Sequence, residues 1–209
     1  MYTIGFVDNS FHLLATYQER LRWRDIDLLW PEPGLTKDDV KEWILNNDIR
    51  CLMVDYKLRP EFDFFGTDLV AYINGKLPDL PCIIITSFQA DSISENLVVK
   101  NMILEREELD RDDWNAFVDT LKQAVQVYTK RLELHKEEYG ILHKRRMAGE
   151  LSAIEEERLF ELYKLLRAYG EVDEIPAELL RPEIGRKMDA MLERLNVLVE
   201  KTSQPEGEE

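Results

Sequence analysis

The stretch "CLMVDYKLRPEFDFFGTDLV" occupies residues 51–70, and its apolar run stops at a carboxylate. Cys51 to Val54 suit a strand buried on both faces, after which come Asp55, Lys57, Pro60 and a loop ending at Gly66. In an open parallel sheet, ligands gather at the carboxyl ends of the strands. The stretch therefore raises two linked questions: whether it belongs to such a sheet, and what else reaches the same edge.

Working outward, short apolar runs alternate with amphipathic segments. "YTIGFV" at 2–7 reads as a strand, and Phe11, Leu14, Ala15 and Leu21 place a helix over 9–23. "IDLLWP" at 26–31 is a second strand, closed by Pro31 and Pro33. Thr36, followed by Asp38 and Asp39, is an N-cap for a helix through Leu45. "IRCLMV" is the third strand, Gly66 to Gly75 a short helix, "PCIIIT" at 81–86 the fourth strand and "NLVVKN" at 96–101 the fifth. This alternation predicts a doubly wound α/β domain with a five-stranded parallel sheet covered on both faces.

Under that assignment Asp8 and Asn9 end strand one, Asp55 strand three, Thr86 and Ser87 strand four, and Lys100 strand five. Such a set suits an aspartate that accepts a phosphoryl group. The attacking and transferred oxygens are all anionic, so a cation must neutralise them. Oxygens of Asp8, Asn9, Asp55 and the Lys57 carbonyl suit octahedral Mg²⁺ completed by water. Lys100 would pair with Asp55 and the phosphoryl oxygens, and the Thr86 hydroxyl would donate to another oxygen.

With "VDN" closing strand one, "MVDYKL" before a Pro and a Gly, "PCIIITS" and "VVK", the chain resembles the receiver domain of two-component response regulators. The separations agree as well, with 46 residues from Asn9 to Asp55 and 31 from Asp55 to Thr86. The resemblance covers residues 1–128. It implies phosphoryl transfer from a histidine kinase to Asp55, with Mg²⁺ held at Asp8, Asn9, Asp55 and Lys57 and with Thr86 and Lys100 as the switch pair. There are two departures. Asn9 stands where the family usually has a second acidic residue, and only 14 residues separate Thr86 from Lys100, so the fourth helix is short or missing. Leu97 also offers no aromatic ring where the family often has one.

Beyond Asp112 the pattern is helical throughout. Trp114, Val118, Leu121, Val125, Tyr128, Leu132, His135, Tyr139 and Leu142 are spaced 4, 3, 4, 3, a heptad seam over four repeats. Ser152 and Glu155 form a capping box that starts a helix through Tyr169. Ile184, Met188, Met191, Leu195 and Leu198 give a last helix, and the tail at 203–209 has a disordered composition. An all-α coiled-coil or bundle region over 129–202 thus continues the last receiver helix, and its seam predicts a homo-oligomer.

The charge of −15 repels phosphate backbones, and the helical half has neither a helix-turn-helix nor an output-enzyme motif, so the expectation is no nucleic-acid partner and no enzyme. No apolar run is long enough to span a bilayer and no leader is evident, which predicts a cytoplasmic protein. Cys51 and Cys82 read as reduced core residues. Two alternatives stand beside the phosphoryl-accepting reading. One is a pseudo-receiver scaffold without phosphorylation, motivated by Asn9. The other is a relay that also uses His143, while His135 on the seam reads as a residue that sets register.

Overall fold

The apolar runs fold into parallel strands flanked by helices: β1 (Tyr2–Val7), α1 (Phe11–Arg22), β2 (Ile26–Leu29), α2 (Lys37–Asn46), β3 (Leu52–Val54), α3 (Gly66–Lys76), β4 (Cys82–Thr86), α4 (Gln89–Ser94) and β5 (Ile103–Glu105). The computed structural model describes residues 1–107 and 114–173, with the further positions 191, 194 and 195. Two long helices follow the sheet, α5 (Asn115–Met147) and α6 (Ala153–Ala168). Contacts divide the chain into two units, residues 1–134 and 135–209.

In the first unit the sheet order is β2-β1-β3-β4-β5, all parallel. Val7 stands level with Val54, and the Asp55 N–H donates to the Val7 carbonyl at 2.8 Å, so the residues after β1 and β3 emerge side by side. Thr86 pairs with Glu105 at the end of β4, and the Arg106 N–H reaches the Thr86 carbonyl at 3.1 Å. The register thus lines up Asp8, Asp55, Thr86 and Arg106 along one edge.

Ile4, Phe6, Leu14, Leu21, Ile26, Leu28, Met53, Ile83 and Ile85 form the main core with Trp114, Phe117, Val118, Leu121 and Val125 of the α5 segment. On the opposite face, Gly5 leaves room for α2, since a Cβ there would lie 2.9 Å from the Trp43 ring. The predicted seam therefore has an intramolecular partner, because its positions from Trp114 to Val125 are filled by the domain's own sheet and α1. The Thr36 cap is present as a full capping box with Asp39.

The fifth strand lies later than "NLVVKN". Residues 96–101 are not a strand; Lys100 begins a 3₁₀ turn, Lys100–Met102, and β5 is Ile103–Glu105. Geometry explains the shift. The chain leaves β4 at the top of the sheet and must return to the bottom to start a parallel strand, a distance of roughly 16 Å for five residues at about 3.3 Å each. Six-residue α4 recovers only about 9 Å at ~1.5 Å per residue. Residues 95–102 cover the remainder, and Val99 within them is 70% exposed. The fourth helix, expected to be short or missing, is present and short.

The second unit is built on a helical hairpin. Gly149, at φ +73°, ends α5, with the Glu150 N–H on the Arg145 carbonyl and the Gly149 N–H on the Arg146 carbonyl. Ser152 and Glu155 then cap α6 reciprocally. The two helices run back along each other, since Arg158 grips both carboxylate oxygens of Glu138 at 2.8 and 2.7 Å and Arg145 pairs with Glu155. Leu142, Leu159 and Leu162 fill the space between them, with Tyr139 and Leu151 at the margin. The predicted last helix falls almost wholly outside the described residues, as does the tail.

Candidate functional site

The ends of β1, β3 and β4 present polar side chains: Asp8 and Asp55 directly follow their strands, and Thr86 is the last residue of its own. Asp8 is 1% exposed, Asp55 7% and Thr86 fully buried. Asp8 Oδ1 accepts the Ser10 N–H at 2.7 Å, which fixes its carboxylate beside β3. Asp8 Oδ2 and Asp55 Oδ1 both face the same nitrogen, Arg106 Nη2, at 2.5 and 3.0 Å. Thr86 Oγ1 accepts the Phe88 N–H at 3.1 Å, and a hydroxyl that accepts still has its own proton to give.

Among the described residues, the cation that meets both carboxylates is Arg106, where Lys100 was expected. Lys100 is exposed on the 3₁₀ turn, while Arg106 follows β5 directly and its side chain is only 15% exposed. The strand assignment hid it, because a Thr86-to-cation separation of 20 residues passes over a short run, "MIL", that looks weaker than "LVV". The signal for it is the arginine that comes second after that run, past Glu105.

Burial pushes the Asp55 carboxyl above its usual range against the pull of Arg106, and the negative charge of Asp8 adds to the push. For Arg106, burial works against its charge, but Asp8 and Asp55 outweigh it and hold the guanidinium firmly protonated. The site is thus two buried carboxylates sharing one fixed cation.

Asn9 and Lys57 meet at the neighbouring corner. The Asn9 amide donates from Nδ2 to the Lys57 carbonyl at 2.9 Å, and more weakly to that of Arg59 at 3.4 Å. The Lys57 ammonium lies 3.2 Å from the centre of the Phe88 ring. Among the described residues there is no group of three or more His, Cys, Asp or Glu fit for a metal, so a divalent cation here would combine carboxylate with amide and carbonyl oxygens. Those oxygens are hard donors and suit Mg²⁺. Turning the Asn9 amide over would put its oxygen where its nitrogen now meets Lys57, so the donor set fits the ion, with one carboxylate fewer than a doubly acidic site.

Gly66 closes the site from below. Its N–H donates to the Tyr56 carbonyl at 2.9 Å, and a Cβ on it would lie 2.1 Å from the Asp55 carbonyl oxygen. No side chain can occupy that position without displacing the backbone of Asp55. With the strand order 2-1-3-4-5 and an acidic cluster at the carboxyl ends of β1 and β3, the architecture is decided. The first unit has the receiver fold.

No protein-family model and no curated protein matches the sequence of this receiver-fold chain. Solved structures are similar to it in fold. A sensor protein from Polaromonas sp. JS666 is similar at 16% identity and a TM-score of 0.47, over 61% of this chain and 98% of that one. A CheY-like response regulator receiver domain protein from Methanospirillum hungatei JF-1 gives 16% identity and a TM-score of 0.48, over 63% and 98%. The response regulator TrrA from Thermotoga maritima, solved in complex with Mg(2+)-BeF, gives 12% and 0.47, over 59% and 99%. No helix among the described residues is long and apolar enough to cross a membrane.

Proposed function

We propose that the chain is a response-regulator-like signalling protein whose receiver-fold unit accepts a phosphoryl group on Asp55 from a histidine kinase. The observation that supports this most is the sharing of one guanidinium by Asp8 and Asp55, at 2.5 and 3.0 Å, with the carboxylates following the adjacent strands β1 and β3 and the arginine following β5. In the transfer, an Asp55 oxygen forms its bond to phosphorus as the bond from phosphorus to the donor imidazole breaks, and the imidazole keeps the electron pair. Arg106 and the Thr86 hydroxyl would take up charge on the phosphoryl oxygens. Asp8, Asn9, Asp55 and the Lys57 carbonyl would hold Mg²⁺, whose charge neutralises the oxygens that must approach one another. Lys100 has no part in this reading, and Arg106 takes the role given to it.

Output then runs through protein contacts of the helical region. Self-association through the 114–142 seam is not part of the proposal, since the chain's own core already covers its first half.

The test is mass spectrometry of the full chain after incubation with acetyl phosphate and Mg²⁺, beside Asp55→Asn. A gain of one phosphoryl group in the wild type alone is the expected result. No gain in either protein would overturn the reading and leave the scaffold in its place. That second reading is favoured by one observation: at the corner where the Mg²⁺ donors would meet, Asn9 brings an uncharged amide that donates to the Lys57 carbonyl.

A further inference from the structure

The residue directly after Asp55 is tied to α4. Tyr56 is 7% exposed, lies stacked on Phe65 with ring centres 5.3 Å apart, and donates its hydroxyl to Glu95 Oε1 at 2.8 Å. The other carboxylate oxygen of Glu95 takes the hydroxyl of Thr67, a fully buried residue in the first turn of α3. Glu95 is the residue that ends α4. One carboxylate therefore joins the end of the fourth helix to the loop after β3 and to the start of α3.

Hydroxyl-to-carboxylate bonds are the strong kind, and two of them on one partly buried group fix its position. Burial, with the negative charge of Glu95 adding to it, pushes the Tyr56 phenol up to about 12, so the phenol remains a donor throughout the physiological range. The helix it holds is short and ends in a turn through Asn96 at φ +54°, followed by the exposed side chains of Leu97, Val99 and Met102. Six residues of helix have little stability of their own, so the position of α4 depends on what grips its ends. Gly66 makes the other half of the link rigid: its N–H holds the Tyr56 carbonyl, and its missing side chain lets the Asp55 carbonyl press against it.

We infer that Glu95 is a coupling residue: through Tyr56 and Thr67 it transmits the state of the Asp55 loop to α4. Coupling of this kind is reciprocal, so what moves α4 also moves Asp55. The inference concerns the link between loop and helix and holds whether or not Asp55 is phosphorylated.

Hydrogen exchange of the full chain, followed by mass spectrometry, tests it in a double-mutant cycle. Asp55→Asn removes the charge facing Arg106 and serves as the perturbation at the site, while Glu95→Gln and, separately, Thr67→Val weaken the clamp. Three results are expected: Glu95→Gln raises exchange over residues 89–95 about tenfold, the order of one charge-assisted bond; Asp55→Asn alters exchange there in the wild-type background; and that second change disappears when Glu95→Gln or Thr67→Val is present. Exchange in β1 and α1 reports that the fold is intact. An Asp55→Asn effect that is absent, or that persists unchanged without the clamp, would overturn the inference. Failure of the phosphorylation reading shows separately, in the mass of the acetyl phosphate product.

Discussion

Arg106 reaches Asp55 at 3.0 Å from the far side of the sheet, crossing the end of β4 to do so, and in the same position it touches Asp8 at 2.5 Å. Neither carboxylate has more than a tenth of its side chain in solvent. Removing the guanidinium would leave two buried negative charges facing each other. Arg106→Ala should therefore lower the unfolding free energy at neutral pH by about 3–5 kcal/mol, the usual loss when one partner of a buried pair is deleted. Lys100→Ala, on its exposed turn, should change it by no more than about 0.5 kcal/mol. Urea denaturation of the two variants checks this, and equal effects would return Lys100 to the site.

The same burial gives Asp55 a pH signature. Its carboxyl is pushed upward in the folded chain, so between the ordinary value of about 3.9 and the raised folded value the folded protein binds more protons than the unfolded one. Stability linked to this group is complete below pH ~3.9 and is lost as pH rises through the folded pKa. Asp55→Asn cannot ionise and lacks this term. The stability of the wild type minus that of Asp55→Asn should thus fall as pH is raised from acid toward neutrality. Denaturation of both proteins across that range measures the difference, and a difference that rises with pH would mean that Arg106 outweighs burial.

Gly66 and the Asp55 backbone are in contact that no Cβ can share. Gly66→Ala should destabilise by about 1–3 kcal/mol, the range for forcing extra volume into a packed site. It should also disturb the backbone amides of Asp55 and Tyr56 more than those of β1. Amide chemical shifts together with a denaturation curve test both parts. A neutral substitution would show that the loop can retreat without consequence.

Four strands were legible from periodicity because each carries its apolar residues inside the segment that pairs, as in "YTIGFV" and "PCIIIT". The fifth was not, because Leu97, Val98 and Val99 have the composition of a strand but sit on the return path from a helix too short to complete the crossing. That displacement of a few residues moved the predicted cation from Arg106 to Lys100. Asp8, Asp55 and Thr86 could be placed at the edge because each directly follows or ends a strand that was read correctly. The Glu95 clamp left no such mark, since a glutamate at the end of a polar helix has the same appearance whether or not two hydroxyls reach it. The seam was visible as a pattern, but an apolar stripe does not say whether its partner is another chain or its own sheet.

Leu121 decides between those two partners. It is fully buried, and it packs with Trp114, Val118 and Val125 into the core that also holds Phe6 and Leu28. Leu121→Ala removes a buried side chain and leaves a cavity, so it should lower the stability of the receiver-fold unit by about 2–5 kcal/mol. If α5 instead met a second chain along this stripe, the substitution would act mainly on association, and the loss would depend on protein concentration. Denaturation at two concentrations a hundredfold apart separates the cases. The packing of Leu121 against the domain's own sheet predicts coincident curves, and curves that separate would assign the stripe to an intermolecular contact.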